Sequence, residues 1–90
     1  MIFNWDEGKN QLLLKHRNIC FENVVVSINN NKLLGVEKNT SKNFNNQYCL
    51  IVEISGYAYV VPFVKNENDY FLKTIFPSRK QTKKYLRSKK

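Results

Sequence analysis

The chain has 90 residues, a net charge of +8, 42% hydrophobic residues and 13% aromatics. That length holds one domain, residues 1–90, and excludes a two-domain enzyme, while the apolar and aromatic content is too high for a disordered chain. No apolar run reaches the roughly 18–20 residues of a membrane-spanning helix, and the opening Met-Ile-Phe-Asn-Trp-Asp lacks the basic and apolar parts of a secretion signal, so a cytoplasmic protein is expected. Cys20 and Cys49 are too few for a disulfide framework and are expected as free thiols.

In chain order, Ile2 to Asn4 suits a short strand. Asp6 can cap a helix that runs to about Arg17, with Asn18 as a left-handed stop. Phe21 to Ile28 is ambiguous: Val24-Val25-Val26 favours a strand, whereas the length and polar flanks favour a short helix, which is the reading adopted. Leu33 to Glu37 reads as a strand, and Lys38 to Asn46 as a polar, asparagine-rich loop. Tyr48 to Ile54 and Tyr57 to Val64 form a hairpin about Ser55-Gly56. Pro62 cannot donate to a ladder, so it is expected at an edge or a bulge. Phe71 to Phe76 alternates apolar and polar residues as one further strand. Pro77 should break it, and Ser78 with Gln81 forms a capping box for a last helix. The expected class is therefore α+β.

All of the excess charge lies at the end of the chain. Lys73, Arg79, Lys80, Lys83, Lys84, Arg87, Lys89 and Lys90 fall in a stretch without an acid, and the residues before them are neutral overall. Such asymmetry points to a polyanionic partner: nucleic acid, an acidic protein or an anionic membrane. On an ideal helix Arg79, Lys80, Lys83, Lys84 and Arg87 share an arc of roughly 140°, with Thr82, Tyr85 and Leu86 on a separate docking face. The docking face lacks the large apolar surface that inserts between lipids, so no membrane partner is expected.

The remaining candidates are few. His16, three residues after Leu13 and four after Leu12, suits a partly buried structural histidine before it suits a catalytic base. His16 and Cys20 have helical spacing but no further ligand pair, so no metal or cofactor is implied. Glu53 alternates with Val52 and Ile54 and reads as an outward salt-bridge partner. Tyr57 and Tyr59 share a parity with Val61 and Phe63, and core packing and base stacking are equally open to them. Lys73 is placed on the face of Phe71 and Ile75. With no nucleophile elbow, phosphate-binding glycine loop or paired carboxylates, an enzyme here must work with cations, hydroxyls and phenols. RNA suits such an inventory, because its 2′-hydroxyl supplies the nucleophile and the protein need only stabilise charge on the phosphate.

Three segments resemble the BrnT family of bacterial toxins: Phe3-Asn4-Trp5-Asp6-x-x-Lys9-Asn10, then Lys15-His16 followed by Ile19-Cys20-Phe21-Glu22, and Phe71-Leu72-Lys73-Thr74-Ile75-x-Pro77-Ser78-Arg79-Lys80-x-Thr82-Lys83-Lys84-Tyr85. The resemblance spans nearly the whole chain. It implies a RelE-like fold with N-terminal helices, a central antiparallel sheet of about four strands and a basic C-terminal helix. It also implies the toxin of a type II toxin–antitoxin pair, a metal-independent endoribonuclease silenced by a small DNA-binding antitoxin, dimeric and acidic. In that reading Arg79 and Lys80 stabilise the phosphorane, Lys73 holds an adjacent phosphate, Tyr59 or His16 moves the proton, and Lys83, Lys84 and Arg87 bind RNA. The alternative is a module of the same fold that binds nucleic acid or a partner without catalysis.

Overall fold

The computed structural model describes residues 2–38 and 48–87. The chain forms β1 (Ile2–Trp5), α1 (Glu7–Arg17), α2 (Phe21–Asn29), β2 (Leu33–Lys38), β3 (Tyr48–Ile54), β4 (Tyr57–Asn66), β5 (Asp69–Leu72), β6 (Phe76–Pro77) and α3 (Arg79–Thr82), which continues as a π-helical turn over Lys83–Arg87. The loop expected after Lys38 falls on residues outside those described, and Lys38 itself ends β2.

The N-terminal boundaries follow local chemistry. Asp6 accepts a hydrogen bond from the Gly8 amide at 3.3 Å and caps α1. Asn18 ends that helix with φ 56°, a conformation an asparagine tolerates better than most residues. The ambiguous Val-rich stretch is helical. Asn10, almost fully buried, accepts from the Phe21 amide at 2.7 Å and donates to Glu22 at 2.9 Å. These two bonds fix the start of α2, and Val24 then enters the core.

The sheet runs in the order β1-β5-β4-β3-β2, with β6 paired to β4 beyond the end of β5. The central strands are antiparallel, but β1 lies parallel to β5, so the sheet is mixed and has more strands than the four expected. Parallel pairing is possible because α1, α2 and three strands supply the long crossover that it requires.

Phe71 to Phe76 does not form one strand. A continuous ladder opposite Pro62 would need an amide that proline lacks. Instead the Pro62 carbonyl accepts from Lys73 N–H at 2.8 Å, and the pairing shifts by one residue between Phe63↔Leu72 and Val60↔Phe76. Pro62 thus sits in a central strand opposite a bulge. The extra residue turns Ile75 into the core on the α1 and α2 side, where Arg17 donates to its carbonyl at 2.6 Å. Ile75 consequently does not share a face with Phe71. Nor does Pro77 end the pairing, since it lies opposite Tyr59 in β6.

The sheet separates two apolar clusters. Leu50, Val52, Val61, Phe63 and Leu72 point towards the helices and pack with Leu13, Phe21 and Val24. Ile51, Ala58 and Val60 point the other way and pack with Tyr85 and Leu86. Tyr59 belongs to the first cluster. Glu53 lies 4.0 Å from the Lys32 ammonium, as its outward orientation suggests. Among the described residues no helix is long and apolar enough to cross a membrane.

Candidate nucleic-acid interface

The C-terminal segment is fastened to β4 by backbone groups that no strand covers. Beyond β6 the Ala58 carbonyl accepts from the Ser78 amide at 3.0 Å, and the Ala58 amide donates to the Thr82 hydroxyl at 2.9 Å. That hydroxyl donates in turn to the Ser78 carbonyl at 2.8 Å, so a buried threonine closes a gap in the ladder. Ser78 caps α3 by accepting from the Gln81 amide at 3.1 Å. The reciprocal half of the expected capping box is missing, because the Gln81 side chain reaches Glu37 and the Ser78 amide is taken by Ala58.

With Thr82, Tyr85 and Leu86 against the sheet, Arg79, Lys80, Lys83 and Lys84 are exposed and line a shallow depression of about 560 Å3. The side chain of Arg87 lies outside the described residues. The expected separation of a cationic arc from a docking face fails at Lys84. In the wider π turn, Lys84 and Tyr85 converge on one carboxylate: Glu37 accepts from Lys84 at 2.8 Å and from Tyr85 at 2.8 Å, while Gln81 donates to its other oxygen at 3.0 Å. The Lys84 hydrogen bond, followed by that of Tyr85, holds the Glu37 carboxyl below the usual carboxylate range. The same contact pushes the Tyr85 phenol and the Lys84 ammonium up. At neutral pH the trio is an ionised carboxylate, a neutral phenol and an ammonium. Tyr85 is therefore a donor here and not a ready base.

Glu37 carried no functional weight in the sequence. Nothing local marks it, since its partners are 44 to 48 residues away. Only the pairing of β2 with β3 and the seating of α3 reveal the hub. Gly35 on the same strand belongs to it: a Cβ there would lie 2.6 Å from the Tyr85 hydroxyl oxygen and 3.0 Å from the ring carbon bearing it.

The five residues assigned to catalysis do not converge. Arg79 and Lys80 stand on the α3 side of the sheet. Tyr59 is half-buried in the opposite cluster, meeting Tyr57 edge-on at 6.1 Å. His16 belongs to α1, on the side of that same cluster, and is exposed instead of partly buried. The reason is that α1 turns Asn10 and Leu13 inwards while Leu12 stays 54% exposed. Lys73 follows β5 with its ammonium 5.4 Å from the Phe71 ring centre, on the α3 side. Among the described residues no cluster of His, Cys, Asp and Glu is arranged to hold a metal ion. Burial, with Glu37 nearby, pushes the Cys49 thiol up, which leaves it a poor nucleophile.

The residues that carry the family resemblance divide by role. Trp5 stacks on Phe21 at 5.4 Å, Asp6 caps α1 and Asn10 clamps α2, so the opening motif builds the N-terminal half. In the closing block Ser78 and Thr82 fasten α3, which leaves Arg79 and Lys80 facing solvent with no such duty. No protein-family model matches the chain, and none of the curated proteins gives a significant match.

Proposed function

We propose that this protein binds RNA along the ridge of Arg79, Lys80, Lys83 and Lys84 and acts on it as the small endoribonuclease toxin that its motifs resemble. The observation that carries the reading is the ridge itself: four cations on one short segment, lining one depression and fixed to the sheet by Thr82 and Glu37. A preorganised array of guanidinium and ammonium groups suits a phosphate whose charge grows as the 2′-hydroxyl attacks, with no metal in the step. Arg79 and Lys80 carry that stabilisation in this scheme, and Lys83 and Lys84 hold flanking phosphates. The inhibitor of such a toxin is a small acidic antitoxin, dimeric and DNA-binding, that covers the ridge; charge reversal at Lys80 and Lys83, which leaves the Lys84–Glu37 pair in place, should slow its association.

A second reading has one observation in its favour. Neither Tyr59 nor His16 lies on the face of the ridge, and Tyr85 is occupied by Glu37, so proton transfer would fall to solvent or to the RNA. In that case the protein binds RNA and does not cut it. Cleavage of single-stranded RNA in the presence of EDTA decides between the two. Arg79→Ala should lower the rate by about 10² or more while binding weakens far less, since three ridge cations remain. Undiminished cleavage in both Arg79→Ala and Lys80→Ala variants, or cleavage abolished by EDTA, refutes the mechanism. Binding that persists in a protein that never cleaves establishes the second reading.

A further inference from the structure

α3 covers only one end of its face of the sheet. It lies over Ile51, Ala58 and Val60, whereas Val64 and Phe71 further along, and Phe76 opposite Val60, are 37–39% exposed. The pairing registers put these residues and Asn4 on one side: Val64 stands opposite Phe71, and Phe71 beside Asn4. They are therefore on the same side of the sheet as the cationic ridge. From Val60 to Val64 the strand advances about 14 Å, so Val64 lies beyond the part of β4 that the helical segment covers.

The patch has a defined chemistry. Asn4, Val64, Asn66, Asp69, Phe71 and Lys73 line a cleft of about 360 Å3, in the lower range of small-ligand sites. Phe71 supplies an exposed ring whose face carries the Lys73 ammonium, 5.4 Å from the ring centre. Asn4 and Asn66 each carry a donor and an acceptor, as the edge of a base does. Asp69 is the one acid among the lining residues and stands at the start of β5. A ring, a neighbouring cation and amide groups on an open sheet are the elements by which single-stranded nucleic acid is held, through stacking of one base and contact with its phosphate.

We infer that this cleft is a base-stacking subsite in which an unpaired RNA base takes the place of the Lys73 ammonium over the Phe71 ring while the displaced lysine turns to its phosphate, and that the strand continues from there onto the Arg79–Lys84 ridge. The inference rests on the RNA-binding reading and extends it. It moves the stacking platform from Tyr57 and Tyr59 to the other face of the sheet, and it gives Lys73 a phosphate to hold. It also requires unpaired RNA, because a base within a duplex cannot reach the ring.

The test is anisotropy titration of the full chain with a 12-nucleotide single-stranded RNA and with a duplex of the same length. Phe71→Ala should weaken single-strand binding roughly 5- to 100-fold, the scale of one lost stacking partner, and leave the salt slope and duplex binding unchanged. Phe71→Tyr keeps the ring and should bind as the wild type does. Phe71→Leu retains apolar volume should the alanine variant fail to fold, and it should show the same loss. Wild-type binding with a steep salt slope, joined to less than a twofold effect of Phe71→Leu, overturns the subsite and leaves the ridge intact. Wild-type protein that does not bind RNA overturns both.

Discussion

Gly35 offers the sharpest probe of how the cationic ridge is held. A methyl group there would sit 2.6 Å from the Tyr85 hydroxyl oxygen, 3.0 Å from Cζ and 3.3 Å from Cε1, on the order of 1 Å inside ordinary contact at the oxygen. The phenol cannot swing away freely, because its hydroxyl is tied to Glu37 at 2.8 Å and its ring packs on Ile51, Ala58 and Val60. Overpacking of this kind costs about 1–3 kcal/mol, or a melting midpoint lowered by roughly 4–8 °C for each kcal/mol in a domain of this size. Tyr85→Phe alone removes one hydrogen bond, worth about 0.5–1.5 kcal/mol. It also removes the atom that the new methyl would strike. In the double variant the nearest contact relaxes to the ring carbon, so the Gly35→Ala penalty should shrink by at least about 0.5 kcal/mol. Urea denaturation of the wild type, both single variants and the double variant at pH 7 measures this coupling. Gly8→Ala is the control: its Cβ would meet nothing closer than the Asp6 carboxylate at 3.7 Å, so it should be neutral or stabilising, as expected for a helical glycine. Penalties that simply add within about 0.3 kcal/mol would refute the view that Tyr85 is pinned against β2.

Stability should depend on pH through Glu37 and Glu22, whose folded-state pKa values are lowered by hydrogen bonds from Lys84 and from Asn10 respectively. The unfolded chain then binds more protons, so the contribution is fully present above the ordinary glutamate range and is lost as pH falls through the lowered folded values. Urea midpoints measured between pH 7 and pH 3 should fall less steeply for Glu37→Gln; an unchanged profile would remove the hub from the account. Asn10→Ala strands the Phe21 amide in a buried site and should destabilise by about 1–3 kcal/mol, with loss of helical circular dichroism ahead of global unfolding. Thr82→Val should carry a similar penalty through the Ala58 amide and speed hydrogen exchange there. For RNA binding, four ridge contacts at about 0.7–0.9 each predict a slope of log affinity against log salt near −3. A slope shallower than about −1 would take the ridge out of the binding site.

The first strand, the first helix and the hairpin were legible because their signals are local: a capping Asp6, a left-handed Asn18, and the alternation and turn that fold Tyr48 to Val64 into a hairpin; the ambiguous Phe21 to Ile28 was decided by Asn10 from the preceding helix. The charge asymmetry was likewise a property of the sequence, as was the exposure of Arg79 and Lys80. Other features exist only through long-range contacts. The one-residue shift opposite Pro62 splits an apparently regular strand and sends Ile75 and Phe71 to opposite faces, an outcome fixed by which strand pairs with β4. Glu37 becomes an anchor because β2 passes beneath a segment some 45 residues later, and no local pattern encodes that meeting. Side-chain parity told correctly that Tyr57 and Tyr59 share a face with Val61 and Phe63. Which face the C-terminal helix would cover was beyond its reach, because a strand alternates identically towards either side until a second layer is laid against it.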